Sequence, residues 1–352
     1  MTKIAILGDT HLGKKGASNT LANYIDEFFD YFFQYCNNEK IEHVIQLGDL
    51  IDSRKNINAK TVVQLNSYFN NFKHRNIKLH QMIGNHDVFY KNTNNINWVS
   101  SFINSNNREN VTCYENPQTI QIDDCKLDII PWINEENYKE VIGFVENSSS
   151  EYLFGHLELA GFEIMKGFII ENGMSPKIFK RYQKVFSGHY HVKSEKGNIL
   201  YTGIPYDLDF SDAEDEKGFY VFDTEDLSYE FIPYTKKLFY KLKYSDGCSI
   251  NNYNELENSF IKLYVYENSN DKKYDDFLNK LYKVNYSDLS IINSVSIDST
   301  DIEIDDIEID DTKTLLVKYL QSNLEEDSYN EESIYGKIDE LYQEAQIIMK
   351  EV

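Results

Sequence analysis

The chain has 352 residues, 41% of them hydrophobic, with 27 tyrosines and 21 phenylalanines, which is enough for a large domain plus smaller appendages. Its formal net charge of −23 argues against a protein that presents a broadly basic face to nucleic acid. No early window joins a basic start, an apolar run and a small-residue cleavage site, and no stretch nears the roughly 20 apolar residues of a membrane span, so a soluble cytoplasmic protein without a membrane partner is expected.

The opening third alternates short apolar runs with helix-length segments, the signature of a layered α/β domain. Lys3–Leu7, His43–Leu47 and Lys78–Ile83 read as strands, and Asn19–Cys36 and Asn58–Lys73 as helices. From Val111 the chain becomes strand-rich, with runs at 111–114, 119–122, 126–130, 152–154, 184–186, 198–201, 219–222 and 229–232. An α/β half followed by a strand-rich half predicts two sheets packed face to face with helices outside, an αββα four-layer sandwich spanning residues 1–233.

Strand-like runs at 239–244 and 261–266 and a helical pattern at 272–282 predict a small α+β cap over residues 234–297. The alternating acidic run 298–311 reads as a solvated linker. Residues 312–352 carry Leu315, Leu316, Tyr319 and Leu320 on one helical face and Ile334, Ile338, Leu341, Tyr342, Ala345 and Ile348 on another. These are two amphipathic helices broken near 322–329, suited either to folding back or to docking on a partner.

The four cysteines, Cys36, Cys113, Cys125 and Cys248, lack CxxC spacing, as reduced structural thiols do; a Cys113–Cys125 bridge between neighbouring strands is the competing reading.

Five of the eight histidines fall in polar clusters just after predicted strands: Gly8-Asp9-Thr10-His11, Gly84-Asn85-His86-Asp87, Gly155-His156-Leu157-Glu158 and Gly188-His189-Tyr190-His191. Gly48-Asp49-Leu50-Ile51-Asp52 repeats the form without a histidine. Side chains from loops at the carboxyl ends of strands converge on one crevice in such sheets. Imidazole, carboxylate and amide donors without thiolate make a divalent-metal site that favours Mn²⁺, Fe or Zn. The donors exceed what one ion of ordinary coordination number takes, whereas two ions sharing a carboxylate use them naturally. A lone Gly-His pair is more often structural, so the ordered set carries the reading; His43, His74 and His80 stand apart and read as structural.

The ordered pattern D-x-H, G-D-x-x-D, G-N-H-[DE], G-H and G-H-x-H from Asp9 to His191 resembles the calcineurin-like metallophosphoesterase superfamily. Within it the chain looks most like SbcD-type nucleases, closest to those of bacteriophage recombination complexes, through Gly48–Lys55, Ile130–Asn137, Gly155–Leu159 and Tyr201–Pro205. The specific motifs extend to about Pro233. Protein phosphatases of the superfamily carry GNHE and an Arg directly after the second Asp of GDxxD; here Asp87 follows His86, and Ser53 separates Asp52 from Arg54.

The resemblance implies that Asp9, His11, Asp49 and His191 hold one metal and that Asp49, Asn85, His156 and His189 hold the other, two divalent ions that are most simply Mn²⁺. It implies a catalytic His86 over the scissile phosphate, oriented by Asp87, with Asp52 and Arg54 behind the ligands or on phosphate. The implied activity is a DNA nuclease, exonucleolytic on duplex ends and endonucleolytic on single strands. Its implied partners are DNA, a coiled-coil SbcC-like ATPase and a second copy of the chain, through 61–72 and 98–102; the apolar faces of those segments also fit ordinary core. In host cytoplasm, for a phage-encoded chain, the ATPase would supply phosphate-binding surface and so reconcile DNA with the acidic balance. The alternative is a phosphomonoesterase or cyclic-nucleotide phosphodiesterase of the same superfamily.

Overall fold

The computed structural model describes residues 2–105, 108–165, 168–244, 250, 252–265 and 272–293. The chain divides into two compact units, Met1–Ile297 and Asp298–Val352. The acidic linker, both C-terminal helices and Cys248 lie outside the described residues.

The first half runs β1 (Lys3–Leu7), the short turn α1 (Lys14–Ala17), α2 (Asn19–Asn38), β2 (His43–Gln46), α3 (Ala59–His74), β3 (Lys78–Met82), α4 (Trp98–Ser105) and β4 (Val111–Tyr114). It continues with β5 (Gln118–Ile122), β6 (Cys125–Ile130), α5 (Tyr138–Asn147), β7 (Tyr152–His156), β8 (Glu163–Met165) and β9 (Phe168–Ile169). Then follow β10 (Lys184–Gly188), β11 (Ser194–Lys196), β12 (Ile199–Tyr201), β13 (Gly218–Asp223), β14 (Tyr229–Pro233), β15 (Phe239–Tyr244), β16 (Phe260–Val265), α6 (Lys272–Leu281) and β17 (Asp288–Asn293).

Two six-stranded sheets have the orders β14-β13-β1-β2-β3-β4 and β11-β12-β10-β7-β6-β5. β1 to β4 are mutually parallel, as are β6, β7, β10 and β12, while antiparallel strands flank each parallel block. Because both faces of these strands are covered, their sequences are near-continuous apolar runs. In β1, Ile4 and Ile6 face the second sheet alongside Ile45, Leu47, Met82, Leu127, Phe154 and Phe186. Ala5 and Leu7 point the other way, into a cluster with Phe28, Phe32, Phe33, Phe69 and Phe72 of α2 and α3. On the far side, Val141 and Val145 of α5 pack on Ile130, Leu153 and Val185. The layers are therefore α, β, β, α, as the sequence pattern predicts, and each large side chain sealed between them contributes roughly 1.5–3 kcal/mol.

The helix starts are set by local chemistry. Ser18 Oγ accepts the N–H of Leu21 (3.3 Å) and Asn58 Oδ1 that of Thr61 (3.0 Å), satisfying first-turn donors that have no partner inside the helix.

β15, β16 and β17 form a separate parallel sheet. Its core of Tyr244, Ile261, Leu263, Val265, Tyr274, Phe277 and Leu281 is shared with α6. Phe239 is instead buried in the cluster formed with α2 and α3, and Phe260 packs against it. Cys36, Cys113 and Cys125 are free thiols, so the Cys113–Cys125 bridge does not form. Among the described residues no helix is long and apolar enough to cross a membrane.

Candidate metal centre

The polar clusters predicted from sequence leave β1, β2 and β3 of one sheet and β7 and β10 of the other, all at carboxyl ends. Gln46, fully buried, pins two of the loops: its side-chain amide donates to the carbonyls of Gly8 (3.2 Å) and Gly48 (2.6 Å) and accepts the Gly48 N–H (2.9 Å). A Cβ on Gly84 would collide with the carboxylate and main-chain nitrogen of Asp49, and one on Gly188 with the Asp9 carboxylate. Only glycine lets these loops approach so closely. His11, Asp49 and His189 adopt left-handed backbone, with φ of 43°, 51° and 87°.

Asp9, His11 and His191 bring ligand atoms within 4.8 Å of one another, and so do Asp49, His156 and His189, and His11, Asp49 and His86. His11 Nε2 and His191 Nε2 face each other at 3.1 Å. Asp49 Oδ2 lies 3.8 Å from His11 Nε2 and 3.4 Å from His156 Nε2, between the two groups. Its other oxygen accepts the His86 main-chain N–H (2.7 Å). The Asp9 carboxylate accepts the N–H of His189 at 3.1 and 2.9 Å, which ties the β1 and β10 loops together.

Asn85 Oδ1 completes the second group, 2.8 Å from His156 Nε2 and 2.9 Å from His189 Nδ1. Turning the amide over would let its NH₂ donate to both imidazoles while its oxygen met Arg54 Nη2 at 3.2 Å. His156 Nδ1 donates to the Leu47 carbonyl at 2.8 Å, so Nε2 is the nitrogen that would give its lone pair to a cation in exchange for its proton. The orientation with Oδ1 inward thus gathers amide oxygen, imidazole nitrogen and the Asp49 carboxylate around one point, a fit for a hard to borderline divalent cation. His11 Nδ1, fully enclosed and without a hydrogen-bond partner, lies 3.5 Å from Asp52 Oδ1, long for a hydrogen bond.

The electrostatics of the cluster favour cations. Burial pushes the Asp9 carboxyl well above the usual carboxylate range, and the neighbouring Asp49 adds to it. Burial also acts upward on Asp49, but His156, His86 and His11 outweigh it and hold that carboxyl well below its ordinary value. Asp87 is raised to about 7 by burial and then by Asp49. Burial opposes the charge on His156, yet Asp49 and Asp9 raise it to about 9, whereas burial and the His156 charge lower His189 to about 3. Packed carboxylates of this kind are costly without compensating positive charge, which bound divalent cations would supply.

His86 adjoins His11, its ring 4.7 Å from that of His11 and edge-on. Its Nδ1 donates to the Asp52 carbonyl at 2.7 Å, which turns Nε2 to the opposite side of the ring. The expectation that Asp87 orients this ring needs correction. Its carboxylate oxygens accept the N–H groups of Gly84 (2.8 Å) and Ile51 (3.1 Å), locking the β2 and β3 loops together. A short polar side chain facing two loop N–H donors is drawn to them first. Arg54 Nε donates to the Asn85 carbonyl (2.8 Å) and so braces the same loop.

Sequence reasoning missed three contributors. Trp132 packs on His189 and His156, with ring centroids 5.3 and 6.0 Å apart. Asp212, 3% exposed, places a carboxylate oxygen 4.0 Å from His191 Nδ1. Lys14 Nζ lies 3.5 Å from Asp52 Oδ1. Each is a single residue outside any repeated motif; only Trp132, within Ile130–Asn137, stood in a quoted segment. His43 and His80 prove to be partners, with His43 Nδ1 3.0 Å from His80 Nε2 and His80 Nδ1 2.6 Å from the Tyr114 hydroxyl, and neither belongs to the candidate metal groups.

Residues 2–193 match the family described as calcineurin-like phosphoesterase. The chain is 32% identical over 343 residues to exonuclease subunit 1 of Enterobacteria phage T4, covering 97% of this chain and 99% of that protein. It is 22% identical over 257 residues to the DNA double-strand break repair protein Mre11 of Nanoarchaeum equitans, covering 65% and 68% of the two chains. A solved archaeal phosphodiesterase is 15% identical with a TM-score of 0.34, covering 66% of this chain and 100% of its own.

Proposed function

Since the chain belongs to the calcineurin-like phosphoesterase family, we propose that it is a manganese-dependent DNA nuclease, exonucleolytic on duplex ends and endonucleolytic on single strands. Its setting in this reading is an SbcCD-like recombination complex with a coiled-coil ATPase. The observation that carries the metal chemistry is Asp49, whose carboxylate lies between two groups of histidines, the buried His11 and His156 and the half-buried His191 and His189. The DNA substrate and the complex are supported by the near full-length similarity to a phage exonuclease subunit.

Asp9, His11, Asp49 and His191 would hold one ion, and Asp49, Asn85, His156 and His189 the other. A bound pair supplies Lewis-acid activation of water and neutralises charge at the phosphodiester. His86, fixed through Nδ1 by the Asp52 carbonyl, donates a proton or hydrogen bond from its other nitrogen to the leaving 3′-oxygen. Asp87 keeps the loops of Asp49 and His86 in register, and Arg54 braces the Asn85 carbonyl and contributes positive charge for a substrate phosphate. Trp132 shields the His156 and His189 rings from water.

The test sets linear duplex DNA, circular single-stranded DNA and p-nitrophenyl phosphate side by side with Mn²⁺. Cleavage of both DNAs is expected, with weak turnover of the monoester. Hydrolysis confined to p-nitrophenyl phosphate or to a cyclic nucleotide would move the chain to the alternative class.

A further inference from the structure

The ligands of the two metals differ in what stands behind them. His156 is backed by the Leu47 carbonyl and Trp132, both of them buried residues. His11 and His191 are each backed by a carboxylate, Asp52 Oδ1 at 3.5 Å and Asp212 Oδ1 at 4.0 Å from the respective Nδ1 atoms. At these separations the carboxylates make no hydrogen bond to the rings; their pull on the Nδ1 side of each imidazole is electrostatic and depends on where each carboxylate is held.

Asp212 ends the 3₁₀ turn Phe210–Asp212, and its Oδ2 accepts the N–H groups of Leu208 and Asp209, both at 3.0 Å. Asp209 caps the same turn, accepting the Ser211 N–H at 2.8 Å. Lys14 Nζ reaches both supports, 3.5 Å from Asp52 Oδ1 and 4.0 Å from Asp209 Oδ2. One lysine therefore joins the element behind His11 to the turn behind His191.

This assembly is gripped from outside by the β15–β17 unit. The Phe210 ring meets Phe239 of β15 edge-on at 5.0 Å, and Lys262 Nζ of β16 sits 4.4 Å above Phe210. Lys15 Nζ lies 4.9 Å from the Phe239 ring and 5.9 Å from those of Phe210 and Phe260, cation–π geometry in each case. Gly13, Lys15 and Gly16 have φ of 89°, 52° and 66°. Left-handed backbone at a lysine is held by surrounding contacts, since local preference opposes it.

We propose that the turn Phe210–Asp212, with Lys14, positions the ligands of one metal alone, that of Asp9, His11 and His191, and that the β15–β17 unit holds this turn in place. Phe210, Asp212 and Lys14 are positioning residues that act through the histidines. The inference rests on the two-metal reading above.

The test titrates Mn²⁺ into the full-length chain by calorimetry and records electron paramagnetic resonance at two equivalents. Wild type should show two binding events and a spin-coupled signal. Phe210→Ala and Asp212→Asn should weaken one event at least tenfold, leave the other within twofold, and give the six-line spectrum of an isolated ion. Phe210→Leu, which keeps an apolar contact with Phe239, should restore coupling. Variants in which both events weaken together, or neither does, overturn the proposal. If Phe210→Ala does not fold, Asp212→Asn decides alone. A wild-type chain that takes up no Mn²⁺ removes the metal reading itself, whereas two ions bound equally well by wild type and variants removes only this inference.

Discussion

In the function proposed above Asp49 and His86 have separable duties, and the separation is measurable. Asp49 presents Oδ2 to histidines of both groups, so Asp49→Ala should empty or greatly weaken both sites. In our reading His86 contributes to the reaction rather than to ion capture, so His86→Ala should keep its Mn²⁺ while cleavage falls by about 10²–10⁴-fold, the usual worth of a positioned acid or base. Metal content and DNA cleavage of both purified variants check this, and a metal-free His86→Ala protein would refute the division. At this scale much was legible in the sequence, because Asp9, His11, Asp49, Asn85, His156, His189 and His191 each follow, within three residues, a glycine at or just past the end of a strand, and the repetition is visible. What was not legible were supports with no local pattern. Asp212 reaches His191 from a turn far along the chain, and nothing near Asp87 announces that its oxygens go to the main chain of Gly84 and Ile51.

The buried parallel strands were legible as elements because both of their faces are covered, so β1, β2, β7 and β10 carry little but apolar residues before their polar ends. The helix α5 was missed: at 10 residues it is short, and Gly143 at its centre weakens the helical signal. β8, β9 and β11 were missed for want of length, being two or three residues each. His43 and His80, read singly, hid a cross-strand pair between β2 and β3, since only the parallel register places them side by side. That pair has a titration consequence. Burial, then His43 and Lys78, lowers His80 from 6.5 to about 4. The unfolded chain therefore binds the extra proton between those values, so the contribution is fully present above pH 6.5 and is lost as pH falls towards 4. It amounts to something on the order of 1–3 kcal/mol. Relative to His80→Gln, wild type should lose stability in thermal unfolding as pH falls from 6.5 towards 4; melting temperatures that keep a constant difference across that window would rule the effect out.

For the molecule as a whole, the excess of acid raises the question of how such a chain engages DNA. Some of that excess falls in the run 298–311, within a unit distinct from Met1–Ile297. The remainder includes the enclosed Asp9, Asp49, Asp87, Asp209 and Asp212, which face the proposed ions or their supports more than they face solvent. In our reading the phosphate-binding surface is completed by the ATPase, recruited through residues 312–352. Deleting 312–352 should abolish co-purification with that ATPase while Mn²⁺-dependent cleavage of single-stranded DNA persists. Unchanged complex formation by the shortened chain would place the docking surface elsewhere.

The positive φ angles at His11, Asp49 and His189 restrict which amino acids those positions admit. Donor chemistry alone would accept glutamate or cysteine as well, but that handedness is tolerated mainly by asparagine, aspartate and histidine once glycine is set aside. The alphabet open to these sites is therefore the overlap of two short lists, one written by coordination and one by the main chain. An attempt to retune metal preference by ligand exchange here would meet the peptide geometry before it met the ion.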